Sequence, residues 1–196
     1  TPDPVFAFNQ NVKPEKSNYA EKILGIKGKY AILSLSDTKV NSEWIKKLEQ
    51  LFAEQGITLV GLPQTNKSFT DVLAYNVKFP LDPMDWYCLI KESEAYIGEL
   101  MHPILVSLHN AVPIFAFDTY GFKKGDILDE ESSKTFQIVM RFGLLDNYYH
   151  KLRQQSLPTP QYVFDKIITF DKAHCTQKAS ERYQEYIVMM NNIRNL

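Results

Sequence analysis

Two cysteines in 196 residues, Cys88 and Cys175, share no CxxC spacing. The chain therefore offers neither a zinc site nor a disulfide framework, and no metal is expected. An excess of either charge is also missing. The 22 lysines and arginines meet 23 aspartates and glutamates, a formal −1, without the basic stripe of a nucleic-acid binder. No nucleic-acid partner is expected. No apolar run approaches the ~18–20 residues of a membrane span, and the opening carries no secretory pattern. A cytoplasmic setting without a membrane span is expected. Internal repeats and low-complexity tracts are absent too. The chain opens on Thr1-Pro2-Asp3-Pro4 without an initiator methionine, so a preceding N-terminal lobe is expected. What is present is ordinary globular stock: 44% apolar and 23% charged residues, in a length that suits one domain with a sizeable core.

Residues 1–20, with Pro2, Pro4 and Pro14, read as a linker or arm. Its Val5-Phe6-Ala7-Phe8 is expected to add a short strand or pack on a neighbouring domain. A core strand over 29–35 runs into the polar turn Ser36-Asp37-Thr38. Trp44, Ile45, Leu48, Leu51 and Phe52 then recur at helical spacing, which predicts an amphipathic helix over 42–55 with Ser42 as its cap. Gly56 ends that helix and 57–62 forms the next strand. A polar connection over 63–70 leads to a third strand within 72–79 and, through Asp82-Pro83, a helix over 83–94. Residues 95–120 supply strand, loop, helix and strand, with Gly98 breaking the first strand, Pro103 in the first helical turn and Pro113 closing the helix. Residues 121–131 read as a surface loop. Helices are expected over 133–142, 144–152, 160–170 and 175–195. The pattern predicts an α/β fold: a Rossmann-like, doubly wound, mostly parallel sheet over 21–130, with C-terminal helices over 131–196 packed on it. The first and fourth strands should be neighbours at the reversal of strand order. The loop 98–102 then lies where open α/β sheets bind ligands, and where a helix start favours anions.

Several stretches resemble the second half of the polysaccharide pyruvyl transferase family. These are Asp82-Pro83-Met84-Asp85-Trp86, Leu89-Ile90, Ala95-Tyr96-Ile97, His102 and Pro113. The family pattern is approximately P-x-(D/E)-W, an apolar helix, a strand ending in R-x-H or S-F-H-G, a helix and a proline-led strand. The opening Pro2-Asp3-Pro4-Val5-Phe6 is similar to the D-P-x-F segment that joins the family's halves, and residues 133–148 resemble the segment after its core. The chain departs from the pattern at Leu100, where relatives carry arginine or serine, and at Pro103, where the S-F-H-G version has glycine. Tyr120-Gly121-Phe122-Lys123 keeps something like Y-D-x-K without its aspartate. The resemblance implies one lobe of a two-lobed, glycosyltransferase-B-like architecture. Its implied activity moves a pyruvyl ketal from phosphoenolpyruvate, a donor substrate rather than a cofactor, onto a saccharide acceptor. Alternatives are a non-catalytic sugar- or nucleotide-binding lobe and a nucleotide-sugar glycosyltransferase lobe.

His102 is the candidate catalytic residue, either protonating an enol donor or holding its phosphate; a helix-start histidine bonded to nearby backbone is the structural alternative. Candidate substrate-binding residues are Ser36, Trp86, Gly98, Glu99, Asp118, Tyr120 and Lys123. Five of them have a plainer role: Ser36 a cap, Trp86 core, Asp118 a turn, Tyr120 and Lys123 a solvated loop. Glu99 is also weighed with Asp85 as an acid pair. His109 reads as buried or capping, and the tyrosines at 148 and 149 with His150 as packing or inter-lobe surface. The last helix carries a stripe of Tyr183, Tyr186, Ile187, Met190 and Ile193, expected to lie partly exposed or covered by a second copy in a homodimer.

Overall fold

The computed structural model describes residues 3–12, 15–35, 40–63, 72–124, 127–152 and 156–195. The proposed ligand residue Ser36 lies outside them. Asp3 accepts the Val5 amide and starts a 3-10 turn, Pro4–Ala7, followed by the short helices α1 (Phe8–Asn11) and α2 (Tyr19–Lys22). Among its described residues the arm adds no strand. Phe6 is buried within the chain's own core, because its ring stacks on Phe142 and meets His109 edge-on.

Six strands form one sheet: β1 (Lys29–Ser34), β2 (Ile57–Gly61), β3 (Tyr75–Asn76), β4 (Tyr96–Gly98), β5 (Ile114–Asp118) and β8 (Tyr148–His150). Their order is β3-β2-β1-β4-β5-β8, and every pairing is parallel. β1 and β4 are neighbours, with Ser34 opposite Gly98, as the doubly wound pattern requires. Alternation along each strand feeds two cores. Tyr30, Ile32, Tyr96, Ile114 and Ala116 face α4 (Pro83–Lys91), α5 (Met101–His109), α6 (Lys134–Arg141) and α8 (Lys172–Arg194). Ala31, Leu33, Ile97, Phe115 and Phe117 face α3 (Ser42–Ala53) and α7 (Pro160–Ile168). The result is a Rossmann-like α/β fold with helices on both faces and a helical C-terminal segment.

Four local expectations change. Asn41, not Ser42, caps α3, because its side chain accepts the Trp44 amide at 2.9 Å. The third strand shrinks to the two residues of β3, paired only with Val60 and Gly61. Within the expected surface loop, β6 (Phe122–Lys124) pairs antiparallel with β7 (Ile127–Asp129). Residues 144–152 are not a helix: a 3-10 turn at Leu145–Asn147 leads into β8, whose three residues are all buried. Of α8 only Cys175 and Ala179 are buried. Tyr183 packs on the core half-buried, whereas Val188 and Ile193 stand 59% and 55% exposed.

Candidate functional site

The loop after β4 is shaped by close packing. The fully buried Tyr96 lies against Gly98, where an added Cβ would sit 2.5 Å from the Tyr96 hydroxyl and 2.7 Å from the Ser34 carbonyl oxygen. Only glycine fits. Burial pushes the Tyr96 phenol well above its ordinary range, so it stays neutral. Glu99 donates its backbone N–H to Ser34 at 3.2 Å, which steers the chain away from the sheet into α5. Leu100 occupies the N-cap and has no side-chain oxygen to offer, so the first amides of α5 lack a side-chain cap. Pro103 contributes no N–H. His102 is exposed in that first turn.

The opposite wall comes from β5. Asp118, expected as a sugar ligand, is fully buried and its carboxylate is engaged internally. One oxygen accepts the Tyr120 N–H at 2.9 Å; the other accepts the Ser133 hydroxyl and, at 3.0 Å, the Tyr148 hydroxyl. Ser133 in turn caps α6 by accepting the Thr135 amide. His150 holds the same turn from below. Its Nδ1 accepts the Leu152 N–H, so its Nε2 carries the proton and donates to the Tyr120 carbonyl at 3.0 Å. The backbone of Tyr120 is thus tied at both polar groups, while its side chain stands 65% exposed.

Between these walls lies a cleft of about 460 Å³, lined by Glu99, Leu100, Met101, His102, the turn at Tyr120 and the start of α6 at Ser133. Two helix starts, α5 and α6, open on it. Beneath it the buried Lys151 pairs with Glu99. The pair ties the residue after β4 to the residue after β8, across β5. Glu99 therefore borders the cleft with its charge met from inside the protein.

The structure brings Glu99, His102 and Tyr120 to this one place, while Gly98 packs behind them against Tyr96 and Ser34 and does not line the cleft. Trp86 packs half-buried on the core at the start of α4 and is not a cleft residue. The backbone of Lys123 lies in β6; its side chain is outside the described part of the chain. Asp85 accepts the Ser17 hydroxyl, so it forms no pair with Glu99. His109, half-buried beside Phe6, has its pKa lowered to about 4, first by loss of solvent and then by the Lys91 charge. Lys151, Ser133 and His150 were not singled out as site residues from the sequence. With 144–152 expected as a helix, nothing in the sequence marked Lys151 as a group behind a strand end. Among the described residues no group of three or more His, Cys, Asp or Glu is placed to hold a metal ion, and no helix is long and apolar enough to cross a membrane.

Fold and cleft together define a class, a Rossmann-like α/β domain with a cleft at the carboxyl ends of its central strands. No family model matches the chain, and no curated protein matches it. Solved structures do. One is the glycosyltransferase SnogD from Streptomyces nogalater, at 12% identity and a TM-score of 0.38 over 84% of this chain. The match spans 44% of the SnogD chain. The likeness to pyruvyl transferases rests on the short motifs alone.

Proposed function

We propose that this chain is a lobe of a polysaccharide pyruvyl transferase-like enzyme and that the cleft beside His102 takes the anionic donor, phosphoenolpyruvate. The observation that carries the reading is the exposed His102 at a cleft onto which two helix starts open. The first amides of α5, which no side chain caps, and the helix dipole favour phosphate or carboxylate without help from Leu100, whereas α6 is already capped by Ser133. In the proposed chemistry His102 passes a proton to the methylene carbon of phosphoenolpyruvate. One hydroxyl of the acceptor sugar adds to the adjacent carbon and loses its proton. Phosphate then departs, and a second hydroxyl closes the ketal with loss of its own proton. No cofactor takes part.

Calorimetric titration of the protein with phosphoenolpyruvate tests this. His102→Ala should weaken binding by about tenfold, the effect of losing one charge-assisted contact. Leu100→Arg, which restores the residue found in relatives, should tighten it. Unchanged affinity in both variants removes the site. A wild-type protein that ignores phosphoenolpyruvate but binds a UDP- or GDP-sugar at the same cleft would instead make this a nucleotide-sugar transferase lobe.

A further inference from the structure

Next to the cleft, sharing Met101, Ser132 and Lys134 with it, lies a second, half-open cavity of about 480 Å³ between the Pro4–Ala7 turn, α5, α6 and α8. We infer that it binds an organic anion with an apolar body, its charged group held by Arg182 and Arg141. The inference is independent of how the cleft is used.

The cavity floor is apolar: Phe6 and Phe142, stacked with ring centroids 6.0 Å apart, and Leu105. Its wall carries three cationic residues, Lys134, Arg141 and Arg182, against one carboxylate, Asp3. That carboxylate is already occupied, since it accepts the Val5 amide at 3.0 Å and caps the turn. Arg182 is the informative residue. Its side chain is only 18% exposed, and one terminal nitrogen donates to the half-exposed Glu185 at 2.8 Å. Its Nε is buried and has no hydrogen-bond partner among the described residues. Native proteins rarely bury a guanidinium N–H without an acceptor. Cationic groups above an apolar floor suit a phosphate or carboxylate joined to a hydrocarbon or ring, and suit a small inorganic anion poorly. The floor accepts both a flat ring and an alkyl chain, so aryl phosphates of the nucleotide kind and alkyl phosphates of the lipid kind share the chemistry it selects.

Calorimetric titration with phenyl phosphate, hexyl phosphate and inorganic phosphate separates these sources. At least one ester should bind about tenfold tighter than inorganic phosphate, since the floor contributes only to the esters. A tighter phenyl ester points to an aromatic ligand, a tighter hexyl ester to a lipid-like one. Arg182→Gln should weaken the ester by about tenfold, and the exposed Arg141→Gln should weaken it too, which keeps the test decisive if the first variant folds poorly. His102→Ala should leave it unchanged within about twofold. The inference fails if no ester outbinds inorganic phosphate, or if both arginine variants bind like the wild type. Ester binding lost in His102→Ala but kept in both arginine variants would assign the anion to the cleft, overturning this inference while leaving the proposed function standing.

Discussion

At the scale of single residues, two positions in this molecule are fixed by what surrounds them. His109 titrates near 4 when folded, against 6.5 for the free group. Between those values the unfolded chain binds the extra proton, so stability falls as the pH drops from about 6.5 towards 4. After allowance for its partial exposure the loss is about 1–2 kcal/mol. His109→Gln should flatten this part of the profile, read as the urea midpoint at a series of pH values. An unaltered profile would place the acid sensitivity elsewhere. Gly98 is fixed by crowding. Gly98→Ala forces its Cβ into the Tyr96 hydroxyl and the Ser34 carbonyl, and overpacking of this kind costs about 1–3 kcal/mol. Adding Tyr96→Phe should return little of that loss, because the ring carbon Cζ of residue 96 and the Ser34 carbonyl each remain 2.7 Å from the new Cβ. A midpoint that does not move in Gly98→Ala would show that β4 and β1 can separate locally at no cost.

At the scale of elements, the ends of the strands are tied to one another by buried polar contacts. The Glu99–Lys151 pair joins the segments after β4 and β8. Removing one partner leaves a buried charge, so Lys151→Met alone should cost about 3–5 kcal/mol. The double variant Glu99→Gln with Lys151→Met should recover much of this, as apolar or neutral replacements of a whole buried pair often do. Equal losses in single and double variants would mean that the two residues act separately. This tie was hard to foresee, because it joins residues 52 positions apart. Elements with a local signature were legible: the apolar period of α3, the apolar run Ile114–Phe117 of β5, and the capped Pro83 that opens α4. β8 was not, since a three-residue aromatic strand is too short to show alternation and its neighbours favour helix. Asp118 was recognised as polar at a strand end, yet its fate was set by Ser133 and Tyr148, 15 and 30 residues further on. In the same way, His102 could be placed at a helix start from Pro103, whereas the second cavity depends on α8 returning against the arm and had no signal of its own.

At the scale of the whole molecule, strand order was readable from the succession of elements because a parallel sheet with short connections leaves few arrangements. The placement of the reversal between β1 and β4 follows from that succession and brings Gly98 beside Ser34. The same order also decides what borders the sheet. Its outermost strands are β3, with two residues, and β8, with three. A flank that short offers an incoming strand very little backbone to read. Association by continuing the sheet is therefore disfavoured, and a partner of this domain has to recognise the shape and chemistry of its side chains rather than extend its hydrogen-bond ladder.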